Sequence, residues 1–365
     1  MKLCFIGDPR SVHTQRWVRW FAPHHEVVFI STAPDHELAE FRVCELPTSA
    51  KPGMRLLSSV QVVRNVLAEE RPDIVHAHYI NEAGWFASAA RRRPFVITAW
   101  GSDLYRAPSE SMLARRLNPW ALRTADWVTC DSEDQAGIVR SWGVSPERVS
   151  VIGWGIDRSE FHPGVDGSSL RERSGLPADA PVLLSPRQWL PNSNIEAIVE
   201  AHARLPEDTY LLLKRISRFE RDGGRTGIDD AISASPARDR IRVLDEIPAA
   251  DLPALYAAAD VVVSLGTTDG TPMSVLEAMA IGRPVVALRT ASLAEWLSEP
   301  GGRLMPSTDS EDVAKAVGDY LSDRDLRERA AASNTEIVER RANRSKEMAR
   351  MNEIYTRLTP AESNR

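Results

Sequence analysis

The feature that most narrows what this chain can become is an alternation that runs nearly end to end, with short apolar runs each followed by a longer stretch of helical spacing. KLCFIGD reads as a buried strand ending in a glycine turn, and VHTQRWVRWF after it turns Val12, Trp17 and Trp20 toward one side of a helix. The pattern continues through the strand HHEVVFIST, the helix SSVQVVRNVLAEERP, the strand DIVHAHY, the helix EAGWFASAARR and the strand PFVITAW. The segment from ADWVTC to SEDQAGIVRSWG reads as helical. Strands separated by helices give a parallel, doubly wound sheet, because a parallel neighbour needs a crossover long enough to hold a helix.

From Gly153 to Gly164 the chain turns rich in Gly, Asp and Pro (IGWGIDRSEFHPGVDG), which reads as a linker. PVLLSPR then opens a second series with TYLLLK, RIRVLD, ADVVVSLG and RPVVAL as strands. A chain of 365 residues exceeds what one core usually supports. Two α/β domains are therefore expected, over 1–160 and 165–340. The polar stretch from Asp323 to Leu358 either caps the second domain or crosses back, with a C-terminal helix over about 345–365 packing on the first. Open α/β sheets bind ligands at the carboxyl ends of their strands, so two such domains facing each other would hold a site between them.

The formal charge of −6, with both signs interspersed, gives no sign of the clustered basic face that a nucleic-acid-binding protein normally carries, so no nucleic-acid partner is expected. Cys4, Cys44 and Cys130 form no CxxC pair, so neither a zinc site nor a disulfide framework is expected, and Cys4 and Cys130 sit in apolar runs as core residues. The N-terminal apolar stretch is too short for a signal peptide, and no run reaches the roughly eighteen apolar residues of a membrane span. A cytoplasmic enzyme is the expectation.

The stretch ADVVVSLGTTDGTPMSVLEAMAIGRPVV carries the chemistry: a strand, a polar loop, then a helix with Thr271 placed as N-cap and Pro272 in its first turn. Free amides at Gly270-Thr271-Pro272 make a seat for a phosphate or a sugar hydroxyl. Glu277 lies among Val275, Leu276, Ala278, Met279 and Ala280, where a carboxylate is expensive to bury unless strong donors meet it. Vicinal ribose hydroxyls would supply two. The plain alternative is that Thr271 and Pro272 only cap a helix while Glu277 satisfies a backbone or arginine partner.

The spacing from Asp269 to Glu277, followed by AMAIGRPVV, closely resembles the acidic-x7-Glu motif of the retaining glycosyltransferase family 4, the group 1 transferases. That resemblance implies the GT-B fold, two Rossmann-like doubly wound domains facing across a cleft. It implies that Asp269 contacts the transferred sugar, one methylene shorter than the family's usual Glu, and that Glu277 binds ribose. In SPRQWLPNSN, Arg187 matches the family arginine that holds the donor diphosphate, while Pro191, Asn192, Ser193 and Asn194 stand where its lysine would follow. Lys214, ending TYLLLK, is either the replacement charge or an exposed strand-end lysine. RVLDEIPAADLPALYAAADVVV resembles the base-binding loop, with backbone groups near Ile247 receiving the nucleobase.

In the first half, GDPRSVHTQRW resembles the family's first loop, which carries Gly7 and His13 toward phosphates and acceptor. VITAWGSDLY resembles the family's strand followed by HGxD; Asp103 matches, but Trp100 occupies the histidine position. His76 and His78 share one face of a strand, and His78 is the site candidate of the two; a metal pair is the alternative, without a third ligand nearby in sequence.

The resemblance implies retaining transfer of a hexose-type sugar from a nucleotide-diphosphate donor, a UDP-sugar ahead of a GDP-sugar, to a hydroxyl-bearing acceptor, with no cofactor and no metal. Arg187 and Asp269 would carry the chemistry, with donor contacts from Gly7, Lys214, Ile247, Gly270, Thr271, Pro272 and Glu277. His13, His78, Trp100 and Asp103 would form the acceptor side. The competing readings are a sugar-nucleotide isomerase or epimerase of the same fold and a non-catalytic nucleotide-sugar-binding protein. The run Arg91-Arg92-Arg93 either touches an anionic membrane surface or is a solvated helix end.

Overall fold

The structure, a computed structural model, describes residues 1–34, 37–47, 52–215, 225–245, 247–267 and 273–359. It divides into two compact units, Met1–Trp154 together with the chain from Ser345 onward, and Gly155–Arg344. The division falls ahead of the expected 160–165 boundary. The Gly- and Pro-rich stretch belongs to the second unit, anchored there by buried Phe161 and by Arg158 Nη1, which donates to the carbonyls of Phe161 (2.7 Å) and Ala280 (2.8 Å).

The first unit holds seven parallel strands: β1 (Lys2–Gly7), β2 (Glu26–Ser31), β3 (Arg42–Glu45), β4 (Ile74–His78), β5 (Phe95–Thr98), β6 (Trp127–Cys130) and β7 (Val149–Val151). Their order is β3-β2-β1-β4-β5-β6-β7. Residues Trp127–Cys130, expected to be helical, form β6. All four are buried, and Val128 and Thr129 at its centre are β-branched residues that suit a pleated, covered strand. The helix starts only at Glu133, where the Ser132 Oγ accepts from the Gln135 amide at 3.2 Å.

Helices cover both faces. The helix Val12–Phe21 is capped by Ser11 and buries Thr14, Trp17, Val18 and Phe21. Trp17 and Phe21 join Leu3, Phe5 and Phe29 in a core that the helix Arg344–Leu358 completes with Met348, Met351, Ile354 and Tyr355. Each such side chain removed from water contributes about 1.5–3 kcal/mol.

The second unit holds six parallel strands: β8 (Val182–Ser185), β9 (Tyr210–Arg215), β10 (Ile241–Asp245), β11 (Val261–Ser264), β12 (Val285–Leu288) and β13 (Gly302–Met305), in the order β10-β9-β8-β11-β12-β13. Alternate residues feed opposite layers: Val182 and Leu184 pack on one side, Leu183 on the other. Both sheets reverse their winding after the first strand, between β1 and β4 and between β8 and β11. Those gaps are the switch points, where crossovers part to opposite faces and leave a crevice at the strand ends. Among the described residues no helix is long and apolar enough to cross a membrane.

Candidate active site

In the first unit the switch point opens at Gly7, the last residue of β1. A Cβ there would stand 3.2 Å from the Cβ of His78, the last residue of β4, so only glycine lets the two strand ends close up without displacement. His78 is 1% exposed, and neither of its ring nitrogens has a hydrogen-bond partner. Phe5 and Trp17 stand edge-on to it at 5.6 and 5.2 Å. Burial pushes its pKa down to about 3, so the ring is neutral.

His76 behaves differently, although its ring lies only 4.6 Å from that of His78. Its Nδ1 is 2.6 Å from the Tyr355 hydroxyl and its Nε2 is 2.7 Å from Thr98 Oγ1, which meets Thr129 Oγ1 at 2.6 Å. Both nitrogens are taken, so His76 ties the C-terminal helix to the middle of the sheet and offers no lone pair to a metal. Among the described residues no group of three or more His, Cys, Asp or Glu side chains is arranged to hold one.

Around this floor stands an aromatic wall. His13 lies 4.8 Å from Trp154, with the rings tilted by 32°, and Trp100 meets Trp154 edge-on at 4.8 Å. Trp100 is 6.0 Å from His78, and its buried indole N–H has no hydrogen-bond partner. Asp103 is fully buried beneath: one carboxylate oxygen accepts from the Trp100 amide at 3.0 Å, the other from the Ile80 amide at 2.9 Å. Burial raises its pKa to about 6 against the pull of those amides. Its geometry makes it the brace that holds the loops after β4 and β5, and thereby Trp100, in place.

Trp154 was not anticipated, because the glycines on either side of it mark a linker. A large aromatic between two glycines was the available signal.

In the second unit Arg187 follows β8, half-buried, at the β8/β11 switch point. The residues in the place of the family lysine stitch that switch point together. Asn194 takes a left-handed φ of 51°, its side-chain amide donates to the Leu265 carbonyl at 2.7 Å, and the Thr267 amide donates to the Asn192 carbonyl at 3.0 Å. The loops after β8 and β11 are thus held to each other by backbone and amide groups.

Lys214 is the penultimate residue of β9, one step beyond the Ser185–Leu213 pairing that ends β8, which sets it on the strand beside Arg187. Ile247 follows β10, half-buried against the apolar layer shared with the helix Met273–Ile281. On that helix every residue from Val275 to Ile281 is buried, including Glu277 at 7% exposure. The Tyr256 hydroxyl donates to its Oε2 at 2.8 Å. Tyr256 is the second residue that local spacing did not reveal. Asp269, Gly270, Thr271 and Pro272 lie outside the described residues.

The predicted residues therefore fall into two sets, each in its own unit: Gly7, His13, His78 and Trp100 at the end of the first sheet, Arg187, Lys214 and Ile247 at the end of the second with Glu277 on the helix after β11.

Residues 2–132 match the family model described as Glycosyl transferase 4-like, and residues 167–336 match Glycosyl transferases group 1. A D-inositol 3-phosphate glycosyltransferase of Xylanimonas cellulosilytica is 28% identical over 310 residues, covering 79% of this chain and 72% of its own. Anabaena HepE, solved in complex with UDP-glucose, has a TM-score of 0.84 at 20% identity, over 98% of this chain and 100% of that one. Sucrose-phosphate synthase from Thermosynechococcus elongatus gives 0.83 at 22%, over 98% and 99%. With each unit matched in order by its own family model, the chain belongs to the group 1 glycosyl transferases and is a glycosyltransferase of GT-B fold.

Proposed function

We propose that this glycosyltransferase moves a hexose-type sugar from a nucleotide-diphosphate donor, a UDP-sugar ahead of a GDP-sugar, to a hydroxyl of a glycan, lipid-linked or small-molecule acceptor, with retention and without a metal. The observation that carries the reading is Glu277. A carboxylate among Val275, Leu276, Ala278 and Met279 serves no packing purpose, and burying one is costly unless strong donors converge on it. The Tyr256 hydroxyl donates to one of its oxygens, and the vicinal hydroxyls of a ribose are donors of the kind a carboxylate in this place accepts. The bound UDP-glucose of HepE, a protein of the same fold, supports the uridine donor.

Retaining transfer needs a sink for the charge that grows on the diphosphate as the anomeric bond breaks. Arg187, in the loop just after β8, and Lys214, near the end of the adjacent strand β9, are suited to that task as positive groups at one end of the second sheet. Asp269 would orient the sugar, and the Gly270 and Thr271 amides, ahead of Pro272, would donate to a phosphate oxygen. The departing phosphate oxygen can accept the proton of the attacking hydroxyl, so the histidine replaced by Trp100 is not required as a base. The wall of His13, Trp100 and Trp154 would receive the acceptor, its indole and imidazole faces suited to the apolar face of a sugar ring.

Glu277→Gln tests the reading. Losing a charge-assisted pair of hydrogen bonds should raise the donor KM about ten- to a hundredfold with little change in thermal midpoint; an unchanged KM would overturn it. Incubating donor alone separates transfer from isomerisation, since an isomerase alters the sugar with no acceptor present.

A further inference from the structure

The loops that leave β4, β5 and β6 at the carboxyl rim of the first sheet span residues 79–84, 99–106 and 131–135. They carry five acids, Glu82, Asp103, Asp131, Glu133 and Asp134, against one arginine, Arg106. Ion pairs take up part of this charge: Arg55 meets Glu82 at 3.0 Å and Arg140 meets Glu133 at 3.3 Å, while Arg106 itself meets Glu110 at 3.3 Å. Asp103 is the brace beneath Trp100. Asp131 and Asp134 stand at the end of β6, two strands along from His78.

The setting of these two acids is fixed by neighbours. The Tyr105 hydroxyl donates to Asp134 Oδ2 at 2.6 Å, which ties the loop after β5 to the helix Glu133–Ser141. Burial, and then the Asp134 carboxylate, push the pKa of Tyr105 up, so the phenol keeps its proton. Asp131 is 4% exposed, and its amide donates to Gln135 Oε1 at 3.4 Å. That bond holds the Gln135 carboxamide against Asp131. Its Nε2, on a fully buried side chain, has no hydrogen-bond partner among the described residues. A buried amide donor without an acceptor calls for one from outside the chain.

We propose that the end of β6 sets the charge class of the acceptor: Asp131, Asp134 and Gln135 take free hydroxyls of a neutral polyol or sugar and turn away an acceptor that carries a phosphate. This rests on the first sheet being the acceptor side. A hydroxyl is the group that meets both demands of the site, since it can donate to a carboxylate and accept from the Gln135 amide. A phosphate can only accept, and would face two carboxylates across a rim already rich in acids. An ammonium can only donate, which leaves the amide unmet. Specificity here comes as much from the repelled ligand as from the favoured one.

The test titrates the full chain with glucose and with glucose 6-phosphate in a calorimeter, with UDP absent and with UDP present. Glucose is expected to bind about tenfold or more tightly than its phosphate. Asp134→Asn keeps the shape and an acceptor for Tyr105 while removing the charge. It should narrow that gap about tenfold by strengthening phosphate binding, with the thermal midpoint nearly unchanged, whereas a merely structural role would weaken both sugars alike. Asp131→Asn is the second variant and should act in the same direction. Equal affinities in the parent, a gap that neither variant narrows, or binding of neither sugar overturns the proposal. UDP titrated alone reports on the donor separately: failure of UDP to bind while the preference for glucose holds would sink the donor reading and leave this one standing.

Discussion

His78 is a neutral imidazole sealed between Phe5, Trp17 and Trp100, and that costs the protein acid stability. Its pKa stands at about 3 in the folded protein, against about 6.5 in an unfolded chain. Below pH 6.5 the unfolded chain takes up a proton that the folded one refuses, so the stability present above that pH is lost as pH falls. Between pH 7 and pH 5 the loss is about 2 kcal/mol. Asp103 runs the other way: its pKa is raised to about 6, so the folded chain holds that proton first, and the cost of its charge eases from pH 6 down toward 4. Urea unfolding should show His78→Phe losing about 2 kcal/mol less than the parent between pH 7 and pH 5; equal losses would contradict a buried neutral ring. At this scale the sequence separated His78 from His76 and marked Glu277, Arg187 and Trp100 through their motif positions. It did not reveal Trp154 or Tyr256. Each earns its place through a neighbour far along the chain, His13 or Trp100 for one and Glu277 for the other, and local spacing does not encode such pairs.

Among the elements, the central strands other than β6 were legible because they are buried on both sides and read as continuous apolar runs. The edge strands β3 (RVCE) and β7 (VSV) were not, since half of each faces polar surroundings and their runs are short. One junction between elements is sharply constrained. Gly155 has a φ of +66°, and a Cβ there would stand 2.3 Å from the Cα of Arg344. The contact exists because Ile156 bridges Asn343 in parallel, with the Ile156 amide donating to the Ala342 carbonyl at 2.6 Å and the Arg344 amide to the Ile156 carbonyl at 3.0 Å. Gly155→Ala should cost about 3 kcal/mol or more, by backbone clash added to left-handed strain. Gly137, exposed on the helix Glu133–Ser141 with nothing within 4 Å of its would-be Cβ, should do the opposite. Gly137→Ala is expected to stabilise by about 0.5–1 kcal/mol, read as a rise in thermal midpoint.

Across the whole molecule, the two doubly wound halves were legible from the alternation alone, whereas the alternatives for the C-terminal helix stood level because its polar sequence names no partner. In the structure its buried side chains complete the first unit: Met348, Met351, Ile354 and Tyr355 lie beside Phe5, Trp17 and Phe21, and Tyr355 answers His76. Ending the chain at Arg344 should therefore unfold the first unit selectively. Calorimetry of that truncation is expected to lose one transition and keep that of residues 155–344; two intact transitions would refute the assignment. The Thr359 hydroxyl reaches Met1 Sδ at 3.2 Å, so the two ends of the first unit meet. The second unit begins and ends at the bridge of Ile156 with Asn343. In topological terms the second unit is a guest spliced into a host, and the splice is a single bonded seam. Exchanging one such guest for another is then a cassette swap at that seam, with the host's sheet and its covering helix left uncut.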